Sequence, residues 1–190
     1  LDIERNVPSI YSSLALFFCS TLFFVIGMCH KKSSGGGTTG WFGLALVFLF
    51  LSLDEGFKIH ENIGDIMEDC VKAKGFVYFP WIIPYGFAVV ALALAYLKFM
   101  LKLPRETAVR FLLSGILYLT GAAVFDMLGG REAELHGYDS IQYCVFYTIE
   151  EFLEMVAIVA LVHALLLYME RQFGRICVTF RMEGIEDDPS

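Results

Sequence analysis

Apolar residues in this chain run in long blocks rather than in the every-second pattern of half-buried strands. Five blocks reach the roughly 20 residues that a helix needs to cross a ~30 Å hydrocarbon core: residues 10–28, 41–59, 76–101, 108–128 and 141–169. The connections between them are short. The pattern predicts one all-α, polytopic transmembrane bundle of five membrane-spanning helices over residues 1–173. Residues 174–190 are expected to form a short acidic tail, disordered and cytoplasmic.

Local signals refine the blocks. Asn6-Val7-Pro8-Ser9 reads as the start of the first helix. Its Phe17, Phe18, Phe23 and Phe24, with no charge among them, mark a lipid-facing or packing helix. Ser33-Ser34-Gly35-Gly36-Gly37-Thr38-Thr39-Gly40 lacks the GxxxxGK[ST] order of a phosphate loop and reads as a linker. The second block turns polar after Leu53, and continued helical phasing would put Asp54, Lys58 and Glu61 on one face. Pro80 and Pro84 belong to the first turn of the third helix, and Tyr78, Trp81 and Tyr85 to an interfacial aromatic belt. Gly115, Ala122 and Gly129, at heptad spacing in the fourth, predict a face for close helix approach.

Composition agrees with this reading: 57% of residues are hydrophobic and the mean hydropathy is +0.62. Charge then orients it. Lys31, Lys32, Lys98, Lys102, Arg105, Arg110, Arg171, Arg175 and Arg181 fall on one side, and only Arg5, Lys58, Lys72, Lys74 and Arg131 on the other. The more basic side is expected to be cytoplasmic. This puts the N-terminus outside and the C-terminus inside, in the inner (cytoplasmic) membrane of a cell. Fifteen of the 21 acids fall in the outward half. Cys70 and Cys144 would share that side, where a disulfide is permitted, although two free thiols is the simpler reading. The expected partners are the bilayer and other membrane subunits, not nucleic acid.

The candidate chemistry is acidic. Glu150, Glu151 and Glu154 lie inside the fifth block, and Asp54, Glu55 and Asp126 near the ends of two others. A charged carboxylate at the bilayer centre costs about 2.5–3.5 kcal/mol on insertion scales, so such residues call for a functional explanation. On a helix the three glutamates span an arc of roughly 100°, shared by Tyr143 and Tyr147. His163 falls on the opposite face and reads as a packing or interhelical hydrogen-bonding residue. Carboxylates from several helices with an imidazole suit a divalent cation, with Fe, Mn or Zn favoured over Ca. The metal-ligand set expected is therefore Asp54, Glu55, His60, Asp126, Glu150, Glu151 and Glu154, with His136 as a further option. The spans that carry them, the second, fourth and fifth, should be mutual neighbours. Neither Glu-x-x-His in the fifth block nor HExxH occurs, so no named metal motif is met. The plainer readings are helix-surface ion pairs Asp54–Lys58 and Lys58–Glu61, loop solvation for Glu132, Glu134 and Asp139, and headgroup contact for Glu150 and Glu151.

Leu53-Asp54-Glu55 with His60-Glu61, Leu128-Gly129-Gly130 with Ala133-Glu134-Leu135-His136-Gly137, and Glu150-Glu151-Phe152-Leu153-Glu154-Met155 carry a resemblance. The chain resembles an uncharacterised family of bacterial multipass membrane proteins, over nearly all of residues 2–171. The resemblance implies no activity. It does imply a further hydrophobic helix before residue 2, and so that the sequence is a fragment holding five of six spans. Three functional readings stay open. They are a metalloprotein or metal-handling factor, an accessory subunit of a larger membrane complex, and a proton or cation pathway. The third ranks last because the fifth block is apolar from Glu154 to His163.

The orientation is testable by labelling. A cysteine introduced at Asp139 should react with an impermeant maleimide added outside the cell, and one at Ser34 only after permeabilisation. The opposite pattern would invert the topology.

Overall fold

The computed structural model describes residues 7–32, 37–68 and 75–174. Seven α-helices follow one another: α1 Val7–Lys32, α2 Thr38–Phe57, α3 Ile59–Glu68, α4 Ile82–Met100, α5 Arg105–Leu119, α6 Asp126–His136 and α7 Ile141–Phe173. A π-helical segment, Thr120–Phe125, joins α5 to α6 without a break. Among the described residues five helical spans are long and apolar enough to cross a membrane: α1, α2, α4, the continuous 105–136 rod and α7. The all-α transmembrane bundle expected from the apolar blocks is therefore observed. The fourth block runs on beyond Leu128 as helix to His136, and the helical part of the third begins only at Ile82.

The spans run up and down, giving the bundle two chemically different ends. Lys31, Lys32, Lys98, Lys102, Arg105, Arg110 and Arg171 gather at the end where α1, α4 and α7 finish. That end is called basic below, and the opposite one acidic. The expected linker is described only from Gly37, whose positive φ of 98° starts α2. Cys70 and the tail beyond Gly174 lie outside the described residues. Cys144 is exposed near the start of α7.

α1 is both of the options that its sequence left open: Phe23 is buried, while Phe17, Phe18 and Phe24 are exposed. It lies against both α2 and α7, burying Leu16, Cys19, Phe23 and Ile26. Along the α1–α2 seam the two helices exchange hydrogen bonds that pure apolar packing would not supply. Ser13 Oγ donates to the Ser52 carbonyl and Ser52 Oγ to the Ser13 carbonyl, both at 2.8 Å. Ser20 Oγ donates to the Ala45 carbonyl at 2.7 Å. Such interhelical bonds contribute about 0.6 kcal/mol each on average in a membrane, enough to fix register.

Toward the basic end the core is aromatic. Trp41 is almost fully buried, stacked on His30 at 5.8 Å between centroids and edge-on to Phe99 and Phe111. His30 Nε2 lies 2.8 Å from the Tyr168 hydroxyl, closing this cluster against α7. Arg171 of α7 pairs with Glu106 of α5 just beyond it.

α4 behaves differently, with no buried residue along its length. It is anchored on α2 at the basic end, where Phe99 and Tyr96 lie over Gly40 and Gly43 and the Tyr96 hydroxyl donates to the Gly40 carbonyl at 3.3 Å. Tyr85 provides a second anchor at the acidic end. Between the two anchors α4 stands away from the bundle.

Replacing the buried indole should therefore be costly, and replacing an α4 outer-face residue should not. Trp41→Ala is expected to lose about 3–5 kcal/mol in reversible unfolding from mixed micelles, as large-to-small core changes do. Leu94→Ala, on the exposed face of α4, should stay within about 0.5 kcal/mol of wild type.

Candidate functional site

All seven residues expected to form the acidic site line one cavity. Asp54 and Glu55 come from α2, His60 from α3, Asp126 from α6, and Glu150, Glu151 and Glu154 from α7. The cavity has a volume of about 1600 Å³ and occupies the space left by the stand-off of α4. Glu61 and Asp65 also border it, so eight carboxylates line it against one ammonium, Lys58, and one imidazole, His60.

Asp54 organises the acidic end. It is 7% exposed, in the last turn of α2. Its Oδ1 accepts from the His60 backbone N–H at 2.9 Å and from the Tyr85 hydroxyl at 2.6 Å, while Oδ2 lies 3.1 Å from His60 Nδ1. One carboxylate thus holds α2, α3 and α4 together. α2 passes into α3 through Lys58, a non-glycine residue in the left-handed region (φ 54°). This corrects the expectation that one helical phase runs on from Asp54 through Lys58 to Glu61. The helix ends because Lys58 leaves the helical region and the Asp54 side chain receives the His60 N–H at the start of α3. Lys58 still pairs with Glu61 at 3.7 Å.

On the opposite wall, the π-helical segment and Gly121 bring the 105–136 rod against α7. A methyl group at Gly121 would lie 2.9 Å from the Glu150 carbonyl oxygen and 3.2 Å from Glu154 Cγ. Only a glycine lets the helices meet at this depth. A π turn inserts a residue into the helical repeat, which rotates the positions after it. Asp126, the first residue of α6, enters the cavity lining after that rotation. Glu154 sits opposite Gly121, is only 8% exposed and accepts no hydrogen bond from any described residue. The Tyr147 hydroxyl donates to Glu151 at 2.5 Å and its ring stacks with Tyr143 at 6.4 Å, so the tyrosine–glutamate stripe read on this helix is present.

The geometry also redraws parts of the expected site. Among the described residues no group of three His, Cys, Asp or Glu side chains is placed so that it could hold a metal ion. The seven side chains share a cavity wall, but Asp54 is engaged by His60 and Tyr85, and Glu151 by Tyr147. His136 is outside the cavity, exposed and 2.9 Å from Glu132, which also accepts from Ser140 Oγ at 2.8 Å. Glu134 accepts from the Gly75 N–H at 2.5 Å, so these two acids tie chain segments together rather than simply solvating a loop. The fourth and fifth spans pack against each other; α2 meets them directly at Trp41, whose ring lies against Phe111 of α5 and Tyr168 of α7, and otherwise faces them across the cavity and through α1. Gly115, expected at a helix contact, faces open space. His163 is exposed and lines a groove between α5 and α7 with Arg110, Ser114 and Leu117. Tyr85 and Tyr118, which line the cavity, were not legible as site residues. Tyr85 reads as a belt aromatic until the fold places it one hydrogen bond from Asp54.

Burial alone would lower the His60 imidazole, but the Asp54 hydrogen bond and the charges of Asp54, Glu61 and Glu55 outweigh it and hold it above its ordinary value of 6.5. A raised folded-state value stabilises the fold fully below the unfolded value, and that contribution is lost as pH rises through the raised one. The thermal midpoint in detergent should therefore fall as pH rises above the ordinary imidazole value of 6.5, and His60→Gln should flatten that dependence. A wild-type midpoint that is already flat would refute the charged His60–Asp54 pair.

Residues 1–169 match the family model described as Domain of unknown function (DUF8692). No curated protein and no solved structure matches the chain.

Proposed function

The chain belongs to the DUF8692 family, and from its own side chains we propose that it is an integral membrane protein whose acid-lined cavity binds a positively charged group. The observation that carries this reading is Glu154, buried opposite Gly121, without a hydrogen bond from a described residue and facing the cavity that seven other carboxylates share. Like charges this close raise one another's energy steeply in a medium of low dielectric. Protonation or a bound positive charge relieves that, and a cation is attracted by the whole cluster at once. With the basic end in the cytoplasm of a cell's inner membrane, the cavity faces the outer leaflet.

A divalent metal ion is the second reading. Its support is the donor chemistry: Asp54, Glu55, Asp126, Glu150, Glu151 and Glu154 with the His60 imidazole suit Fe, Mn or Zn. It requires the walls to close so that at least three donors converge. An accessory role in a larger membrane complex, with the acids pairing to a subunit, is compatible with the same cavity.

Dicyclohexylcarbodiimide attacks protonated carboxyl groups in apolar surroundings, so it reports on the unfilled site. Purified protein should be labelled at Glu154, read by peptide mass spectrometry, and a bound cation should suppress the labelling at least fivefold. Mn²⁺, Zn²⁺ and butylammonium are the probes. Protection by either metal, with stoichiometric metal in elemental analysis, supports the metal reading. Protection by butylammonium alone supports the organic cation. No protection by any of them, nor by a longer alkylammonium, refutes the proposal.

A further inference from the structure

The cavity is far larger than a cation needs, and only one end of it is acidic. At about 1600 Å³ it exceeds the roughly 300–1,000 Å³ of ordinary small-molecule pockets. From Trp81 to Met100 its wall follows α4 for about 28 Å at 1.5 Å per residue, close to the thickness of a hydrocarbon core. Trp81, Tyr85, Val89, Leu92, Tyr96 and Met100 recur along that wall at helical spacing, so one continuous face of α4 looks into the space.

The two halves differ in chemistry. Every charged side chain in the lining belongs to the acidic end, down to Glu154. Below Glu154, toward the basic end, the walls are Phe23, Phe48, Leu92, Met100, Phe111 and Leu161, with no charged residue among the lining positions. Gly86 and Gly115, on facing walls, each have empty space where a side chain would begin. Glycines that serve a helix contact are touched by the neighbouring helix, as Gly121 is. Gly86 and Gly115 widen the cavity.

We propose that the occupant is a long-chain amine without a phosphate, its ammonium group among Glu154, Glu55 and Asp126 and its hydrocarbon chain lying along α4 toward Met100 and Phe111. This rests on the cation reading of the site and names the kind of molecule that brings the cation. The buried Glu154 carboxylate supplies the counter-charge for an ammonium and an acceptor for its N–H groups. A chain of methylenes fills the apolar half, which water would occupy poorly because its lining offers few hydrogen-bonding groups. A phosphate headgroup is disfavoured, because the acidic end lines the cavity with eight carboxylates against one ammonium and one imidazole.

The test compares four probes on the purified full chain in detergent: hexadecylamine, hexadecanol, hexadecyl phosphate and butylamine. Binding is read by suppression of carbodiimide labelling at Glu154 and by the change in Trp81 fluorescence, since Trp81 lines the cavity. Hexadecylamine should bind at least tenfold more tightly than each of the other three, which separates charge from chain length and from simple partition into the micelle. Leu92→Trp fills the apolar half from a helix that buries nothing, so it should fold normally. It should weaken hexadecylamine at least tenfold and leave butylamine unchanged. Glu154→Gln, which has no carboxyl to label and is read by fluorescence alone, should weaken both amines.

If butylamine protects as well as hexadecylamine, or Leu92→Trp has no effect, the cation reading stands and the long-chain amine falls. If hexadecanol or hexadecyl phosphate binds as tightly as hexadecylamine, an amine-specific head is overturned. If neither amine nor any metal protects Glu154, both proposals fall. Dimerisation through this groove, or a copurifying protein seated in it, that hexadecylamine does not displace would overturn the inference as well.

Discussion

Asp54 is a carboxylate in the final turn of α2, where the negative end of its own helix disfavours it, and it is almost wholly buried. Such a group persists only when its lone pairs and charge are met. Three donors meet them: the His60 backbone N–H at the start of α3, the His60 ring beside it and the Tyr85 hydroxyl across the gap. Its hydrogen bonds therefore determine where α2 stops, which way α3 leaves and how far off α4 is held. Replacing Asp54 with an apolar residue would leave Tyr85 and the α3 start without an acceptor. The acid is structural and functional at once, because the cavity exists only while α4 is held at that distance.

The opposite wall depends on the absence of a side chain. At Gly121 the 105–136 rod comes within 2.9 Å, measured from the position a methyl would take, of the α7 backbone. This close approach shields Glu154 from lipid. The π-helical turn around Gly121 changes the helical phase, so Asp126 lines the same space although regular helical counting would not fix its place there. A wide cavity thus has one rigid wall, the α5–α7 contact, and one tethered wall, α4.

The sequence made the spans legible because length and hydropathy dominate membrane insertion. It also made the acids legible, because each is an exception to that same rule. All seven predicted residues do line one space. Their relation to each other was not legible, because periodicity gives the face of a helix but not the distance to the next helix. Gly115 and Gly121 look alike in sequence, yet one faces empty space and the other a carbonyl oxygen. Lys58 showed no sign of a helix end, since lysine seldom occupies the left-handed region; the break there is held by the bonds of Asp54. Tyr85 was hidden for the opposite reason, since a tyrosine near a membrane boundary already has a sufficient explanation.

The stand-off of α4 also bears on how the protein is made. Its outward surface is apolar throughout and no charged residue interrupts it before Lys98, so it can leave the insertion machinery into lipid without a partner. α7 cannot do so as comfortably, because three glutamates enter with it at about 2.5–3.5 kcal/mol each if charged and central. Gly121 and the α1 face are synthesised earlier and already stand in the bilayer when α7 emerges. The order of the helices along the chain therefore delivers the costly segment after the surface that receives it.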